Sequence, residues 1–377
     1  MAAHLEACPS ARAVVNFSPV VLDQLAAYGK ETGDCVRDRQ SALSDPLLAV
    51  LEGRKSPQEF GKRALAEACL RANQTHLIER FPGVSALANL ARAALQQTQT
   101  GAIQYLDDQF FTDLVVWYHL AWLGESVRHG DPRIQELMEK GQGFSGEDRW
   151  VLFTVIAELL ASLIGRYRAL ANQGRIELSM SPYCHPILPL LLDFAVARES
   201  IPDAKLPESP SYPGGEARAR WHLTEGQRVF HSYFERDPAG CWPSEGAISD
   251  AAVRLLDAQG FHWCASGQLV LHNSLGNAQT GGGPWHHPWR LPGTQMACFF
   301  RDVELSNLIG FSYKDWRAED AVNDLMQRLE VIASQADGAA GRVVAIILDG
   351  ENPWEYFPHN GYEFLTRLYS SFAEHPH

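Results

Sequence analysis

No two cysteines in this chain stand in a CxxC pair, and the seven present (Cys8, Cys35, Cys69, Cys184, Cys241, Cys264, Cys298) are scattered and odd in number. Neither a disulfide framework nor a thiolate zinc site is expected, and the thiols read as free in a reducing compartment, the cytoplasm. Basic excess is lacking too: 32 Lys and Arg stand against 45 Asp and Glu, a formal net charge of −13. Nothing on such a chain would neutralise a phosphate backbone, which excludes a nucleic-acid partner. The first residues hold Glu6 and no apolar stretch, so no cleavable signal peptide is expected. A bilayer-spanning helix needs ~20 apolar residues. The nearest candidate, "WVLFTVIAELLASLIG" from Trp150 to Gly165, is shorter, contains Glu158 and lies between Arg149 and Arg166. It reads as a buried helix, and no membrane partner is expected. Internal repeats and runs of like charge are absent as well.

What is present is a globular composition, 46% hydrophobic, on a chain of 377 residues. That is enough for one large core or two smaller ones, since single cores stop growing near ~250–300 residues. "RAVVNF" at 12–17 is the first strand candidate, followed by a helix through "PVVLDQLAAYG". From about 36 to 174 the pattern is helical, with apolar residues at three- and four-residue spacing in "FFTDLVVWYHLAWLG" and from Val151 to Ile164. After Gly174 short strands alternate with helices. The strands are "RIELSM" (175–180), a short stretch ending near Trp242, "FHWCAS" (261–266), "QMACFF" (295–300) and "RVVAIIL" (342–348). Alternation of this kind means βαβ units and a parallel sheet, open or closed as a barrel. The unbroken apolar run of "RVVAIIL" suits a strand covered on both faces. Two Pro- and Gly-rich stretches, 202–215 and 274–294, are long enough to be functional loops.

In such sheets the reactive groups gather where strands end. Glu177 lies in "RIELSM" with His185 just beyond it; Glu245 follows Trp242 in "GCWPSEG". Arg301 and Asp302 follow "QMACFF", and Asp349, Glu351 and Trp354 follow "RVVAIIL". Each alone has a structural explanation: Glu245 as a first-turn acid, Asp302 as a helix N-cap, His185 as a core histidine. Together, acids at several strand ends beside Trp and His suit sugar chemistry, because aromatic faces stack on sugar rings and carboxylates perform glycosyl transfer. The adjacent His286 and His287 of "WHHPW" raise a metal-dependent hydrolase, but neighbouring residues point apart and lack ligand spacing.

The motifs "GRIELSMSPYCHPILPLL", "GCWPSEGAIS", "FRDVELSNLIGFSY" and "LDGENPWEYFPHNGYEFL" stand in the order found in glycoside hydrolase family 57, which the chain resembles over essentially its whole length. The resemblance is strongest to the amylopullulanase-like and α-amylase-like members. It implies an incomplete (β/α)7 barrel with a largely helical insertion at about 36–174 and the catalytic strands at 175–377. It implies a retaining hydrolase or transglycosylase acting on an α-glucan polysaccharide or oligosaccharide, with no cofactor and no metal in the chemistry. Glu245 matches the family's nucleophile and Asp349 its general acid/base. Glu177 matches a substrate-binding glutamate, and His185, Trp242, Asp302, Glu351 and Trp354 belong to the expected glucan-binding surface. The family's opening His-Gln-Pro strand has no counterpart before "MAAHLEACPS", and family members extend beyond His377, so a chain truncated at both ends is expected. Ser266 and Gly267 stand where an Asp-Glu pair is common. The alternative implied is a homologue that binds glucan without turnover.

Overall fold

The computed structural model describes residues 1–97, 101–209, 211–276, 283–334, 341–350 and 353–375. Five strands form one sheet: β1 (Ala13–Phe17), β2 (Ile176–Met180), β3 (Gly240–Cys241), β4 (Trp263–Gly267) and β5 (Ala297–Arg301). Their order is β1-β2-β3-β4-β5 and every neighbouring pair is parallel. Sequential order is the winding of a barrel wall; a doubly wound sheet would reverse direction at a switch point. The architecture is α/β, an incomplete (β/α)7 barrel.

The segment expected as a sixth strand, 342–348, departs from its reading. Among the described residues it joins the sheet by a single parallel bridge, Arg301 with Ala345. Its backbone is held instead by piecemeal bonds: Asp302 N–H to Ala345 O at 2.8 Å, Val343 N–H to His286 O at 2.8 Å, and Ile347 N–H to Ser306 Oγ at 3.2 Å. Val343 is 41% exposed, so the run is not covered on both faces. An apolar run reports a preference for burial; a ladder needs a partner in register.

The chain divides into two compact units, one of Met1–Leu25, Ile164–Gly350 and Thr366–His377, the other of Ala26–Leu163 and Glu351–Leu365. In the first, Phe17 of β1 packs its ring on Tyr167 at 5.1 Å and Phe234 at 5.3 Å, which places the core between sheet and helices. The helix Gly215–Phe234 was not legible in a stretch so rich in charge. It buries Ala219, Leu223, Gly226, Phe230 and Phe234, a three- and four-residue stripe. Gly226 admits the close approach, since a Cβ there would lie 2.5 Å from Met180 Cε.

The second unit is helical. The helix Asp108–Trp122 starts where Asp107 accepts from Phe110 N–H at 2.8 Å, and it buries Phe111, Leu114, Trp117 and Leu120 in the unit's main core. Glu125 is buried there between Arg80 and Arg128. Burial works against its ionisation, but the two guanidinium groups hold its carboxyl down to about 2.

The expectation of a buried helix at Trp150–Gly165 needs correction. The helix runs Gly146–Asn172, long and apolar enough by length and composition to cross a membrane, and only 28% of its most apolar stretch is buried. Leu152, Phe153, Val155 and Ala157 face inward, while Glu158, Ala161, Ser162 and Gly165 are exposed. One stripe packs and the other does not, a distinction that composition averages away.

Candidate active site

Glu245 sits at the C-terminal end of β3, on a turn that several neighbours force into shape. Gly240 opens the strand because any Cβ would lie 1.8 Å from the Trp263 ring. Trp242 N–H then donates to Met180 O at 3.0 Å, and the chain reverses through Pro243 and Ser244, closed by Gly246 N–H to Pro243 O at 2.8 Å. Glu245 takes φ 58 and ψ 17, left-handed for a residue that disfavours it, and Gly246 follows at φ 68. Such a conformation costs ~1–3 kcal/mol and persists only where surroundings enforce it. Two contacts enforce it here. The half-buried Trp242 ring lies against Gly246, where a Cβ would approach it to 2.9 Å. Beneath, the fully buried Ser266 of β4 donates its hydroxyl to Gly246 O at 2.6 Å.

The turn thrusts the Glu245 side chain outward, 77% exposed. Its Oε1 lies 3.3 Å from His185 Nε2. His185 is carried by the loop after β2, where Cys184 and His185 both adopt φ 57. That loop is pinned by Ser181 N–H to Phe17 O at 3.1 Å and by Tyr183, whose hydroxyl donates to Asp23 at 3.0 Å. The strained residues of adjacent strand ends thus bring an imidazole to an exposed carboxylate.

Asp302, at the end of β5, is a different object. It is 5% exposed, and each oxygen is occupied. Oδ1 accepts from Leu305 N–H at 2.9 Å, capping the helix Val303–Asn307, and Oδ2 accepts from Trp285 Nε1 at 3.3 Å and pairs with His286 Nε2 at 2.8 Å. Burial opposes its charge, yet the bonds from His286 and Leu305 outweigh it and hold the carboxyl below the ordinary value. The N-cap reading of the sequence is what these bonds describe.

Asp349 is exposed, beyond the bridged segment. Burial pushes the Arg301 guanidinium below its usual range while the Asp349 and Asp302 charges pull it back, so Arg301 lies within electrostatic reach of both acids. Arg301 is fixed by donating Nε to Ile347 O at 2.8 Å and Nη2 to Asn307 at 3.0 Å.

Of the remaining expected residues, Glu177 stands apart. It is the second residue of β2, remote from the strand's C-terminal end, and its Oε1 accepts from Trp263 Nε1 at 2.6 Å. Trp354 is half-buried in the second unit against Phe357 and Phe364, centroids 5.5 and 6.4 Å away, with Gly361 under its ring. Glu351 lies outside the described residues. Among the described residues no three His, Cys, Asp or Glu side chains gather as metal ligands; His286, the alternative metal histidine, is bound to Asp302 instead. Sequence reasoning gave Ser266 and Arg301 no role. Ser266 had a signal, a small polar residue where acids are common, but only its partner's position across the sheet reveals its use.

A family model described as glycosyl hydrolase family 57 matches residues 54–377. Among solved structures, the α-amylase of Thermotoga maritima aligns at 13% identity over 84% of this chain and 67% of its own, with a TM-score of 0.46. A family 57 branching enzyme of Thermococcus kodakaraensis aligns at 14% identity over 86% and 67%, TM-score 0.43. The corresponding branching enzyme of Pyrococcus horikoshii aligns at 16% identity over 85% and 64%, TM-score 0.43. No curated protein matches the chain.

Proposed function

The chain belongs to glycosyl hydrolase family 57, and from that premise we propose that it cleaves or transfers α-glucosidic bonds with retention, Glu245 serving as nucleophile and Asp349 as general acid/base. The observation that carries the reading is the Glu245 turn. A left-handed glutamate, exposed at a strand end and locked from below by Ser266, is a carboxylate presented to a ligand at a conformational cost.

The reaction is a double displacement. The Glu245 carboxylate attacks the anomeric carbon as the glycosidic C–O bond breaks, and Asp349 gives its proton to the departing oxygen. Asp349 then takes a proton from water or from an acceptor sugar hydroxyl, whose oxygen displaces Glu245 from the anomeric carbon. Two inversions return the original configuration, and direct attack requires the carboxyl groups ~5–5.5 Å apart. His185, at 3.3 Å from Glu245, orients the nucleophile before attack. Trp242, beside the same turn, offers part of an aromatic face for a sugar ring. The four motifs standing in the family's order, together with the family match, support an α-glucan substrate. Seven free thiols support a reducing, cytoplasmic setting.

The test is reducing-sugar release from amylose and pullulan, with Glu245→Gln as the blank. Release by the wild type that the variant abolishes supports the reading. Retention on an amylose column without release, unchanged by Glu245→Gln, overturns it in favour of a glucan-binding homologue.

A further inference from the structure

The parallel sheet has a second end. Glu245, His185 and Asp302 follow the C-termini of their strands, whereas a cavity of about 720 Å³ opens among the residues that start β1 and β2 and precede β3. Its walls are apolar in part, through Val14, Ile176 and Leu178, and its charged groups are Arg12, Arg175, Arg236, Glu177 and Asp237.

None of the three arginines has a carboxylate within ion-pair distance among the described residues, as is also true of Arg198, Arg218, Arg254 and Arg290 of the same unit, whereas Arg166, Arg168, Arg220 and Arg228 are paired. What these three share is that they line one cavity. They bond to neutral acceptors: Arg12 to Pro9 O and Ala11 O at 2.9 Å, Arg175 to Leu5 O and Cys8 O, Arg236 to Ala171 O at 3.4 Å and the Asn172 side chain. The Nε atoms of Arg175 and Arg236 are buried without any partner. Glu6, the carboxylate that feels the Arg175 charge, is already held by Arg166 through both oxygens. On a chain of net charge −13, three guanidinium groups left without carboxylates around one cavity form a local positive field against the molecule's own sign.

The two acids do not cancel it. Asp237 is 85% exposed and pairs with His231 at 3.0 Å. Glu177 has one oxygen on the Trp263 indole and presents an acceptor among the arginines. We propose that this cavity binds a phosphorylated sugar, the phosphate held by Arg12, Arg175 and Arg236 and a ring hydroxyl donating to Glu177. Guanidinium forks match phosphate oxygens in pairs, a carboxylate acceptor selects for hydroxyls, and the volume lies in the range of small-ligand pockets. The site is separate from Glu245, so it is a second site whatever the chemistry at the first.

Titration calorimetry on the full chain decides it, using glucose 6-phosphate, inorganic phosphate and glucose as probes at low and high salt. Glucose 6-phosphate should bind saturably, more tightly than inorganic phosphate, and weaken with salt; glucose should give no heat at this site. Arg12→Gln with Arg236→Gln should lose about tenfold or more in affinity, while Glu245→Gln should keep the wild-type value. Arg12→Gln alone, whose native bonds reach only carbonyls of its own loop, decides the matter if the double variant fails to fold. Failure of glucose 6-phosphate to bind, equal affinity in the arginine variants, or loss of binding in Glu245→Gln would each overturn the proposal. Inorganic phosphate binding as tightly as the sugar phosphate would remove the sugar from it.

Discussion

Glu245 and Asp302 each close a strand of the same parallel sheet and each precede a helix, yet the molecule treats them in opposite ways. Asp302 is buried, and its two oxygens are spent on one backbone N–H, one indole and one imidazole. Glu245 is exposed, takes a disfavoured backbone conformation and touches a single histidine. The first carboxylate is consumed by the fold, and the second is held out from it. Position at a strand end therefore does not assign a role; the count of internal partners does.

That contrast can be broken by exchange of the readouts. The largest effect expected is Glu245→Gln, which should lower turnover on amylose by about 1,000-fold or more while leaving stability within ~0.5 kcal/mol. A variant that is instead unstable and active would make Glu245 the structural acid of the two. Asp302→Ala should do the reverse, costing about 3 kcal/mol in denaturant unfolding, because two buried donors and the half-buried Trp285 indole lose their acceptor and a helix loses its cap.

Ser266→Ala sharpens the comparison from beneath. Without its hydroxyl the Gly246 carbonyl is released and the left-handed turn relaxes, so kcat should fall about tenfold with KM little changed, at about 1 kcal/mol of stability. Equal losses in kcat from Ser266→Ala and from substitutions elsewhere in β4 would show that the bond is ordinary packing.

The smallest effect is one of pH. Because the folded Asp302 carboxyl lies below its ordinary value, its contribution is fully present above the unfolded value of ~3.9 and is lost as pH falls through the lower folded one. The stability gap between wild type and Asp302→Asn should be widest near neutrality and should close in acid. A gap constant down to the acid limit would mean that the ionised form is not what the three donors require.

Much of this was legible beforehand. β1 and β2 were visible as alternating or apolar runs with Gly174 before the second, and the strand ends carried the acids that motif order also marks. The helix Gly215–Phe234 was not, because its buried stripe includes glycine and alanine amid arginines, and small residues carry little apolar signal. The segment 342–348 misled in the other direction, since its apolar run promised a strand that pairs at one point only among the described residues.

The sequence by itself determined the α/β class, the family and the identity of the acids at the strand ends, because strand periodicity and motif spacing are local properties. It set Glu177 inside the second strand, but it could not separate Asp302 from Glu245 or show which residue donates to Glu177. Those distinctions rest on contacts that cross the chain: Trp285 and His286 arriving from a loop at Asp302, Ser266 reaching under the turn from β4, Trp263 reaching Glu177. A carboxylate's task depends on who donates to it and how much water remains, and both are decided only when distant segments meet.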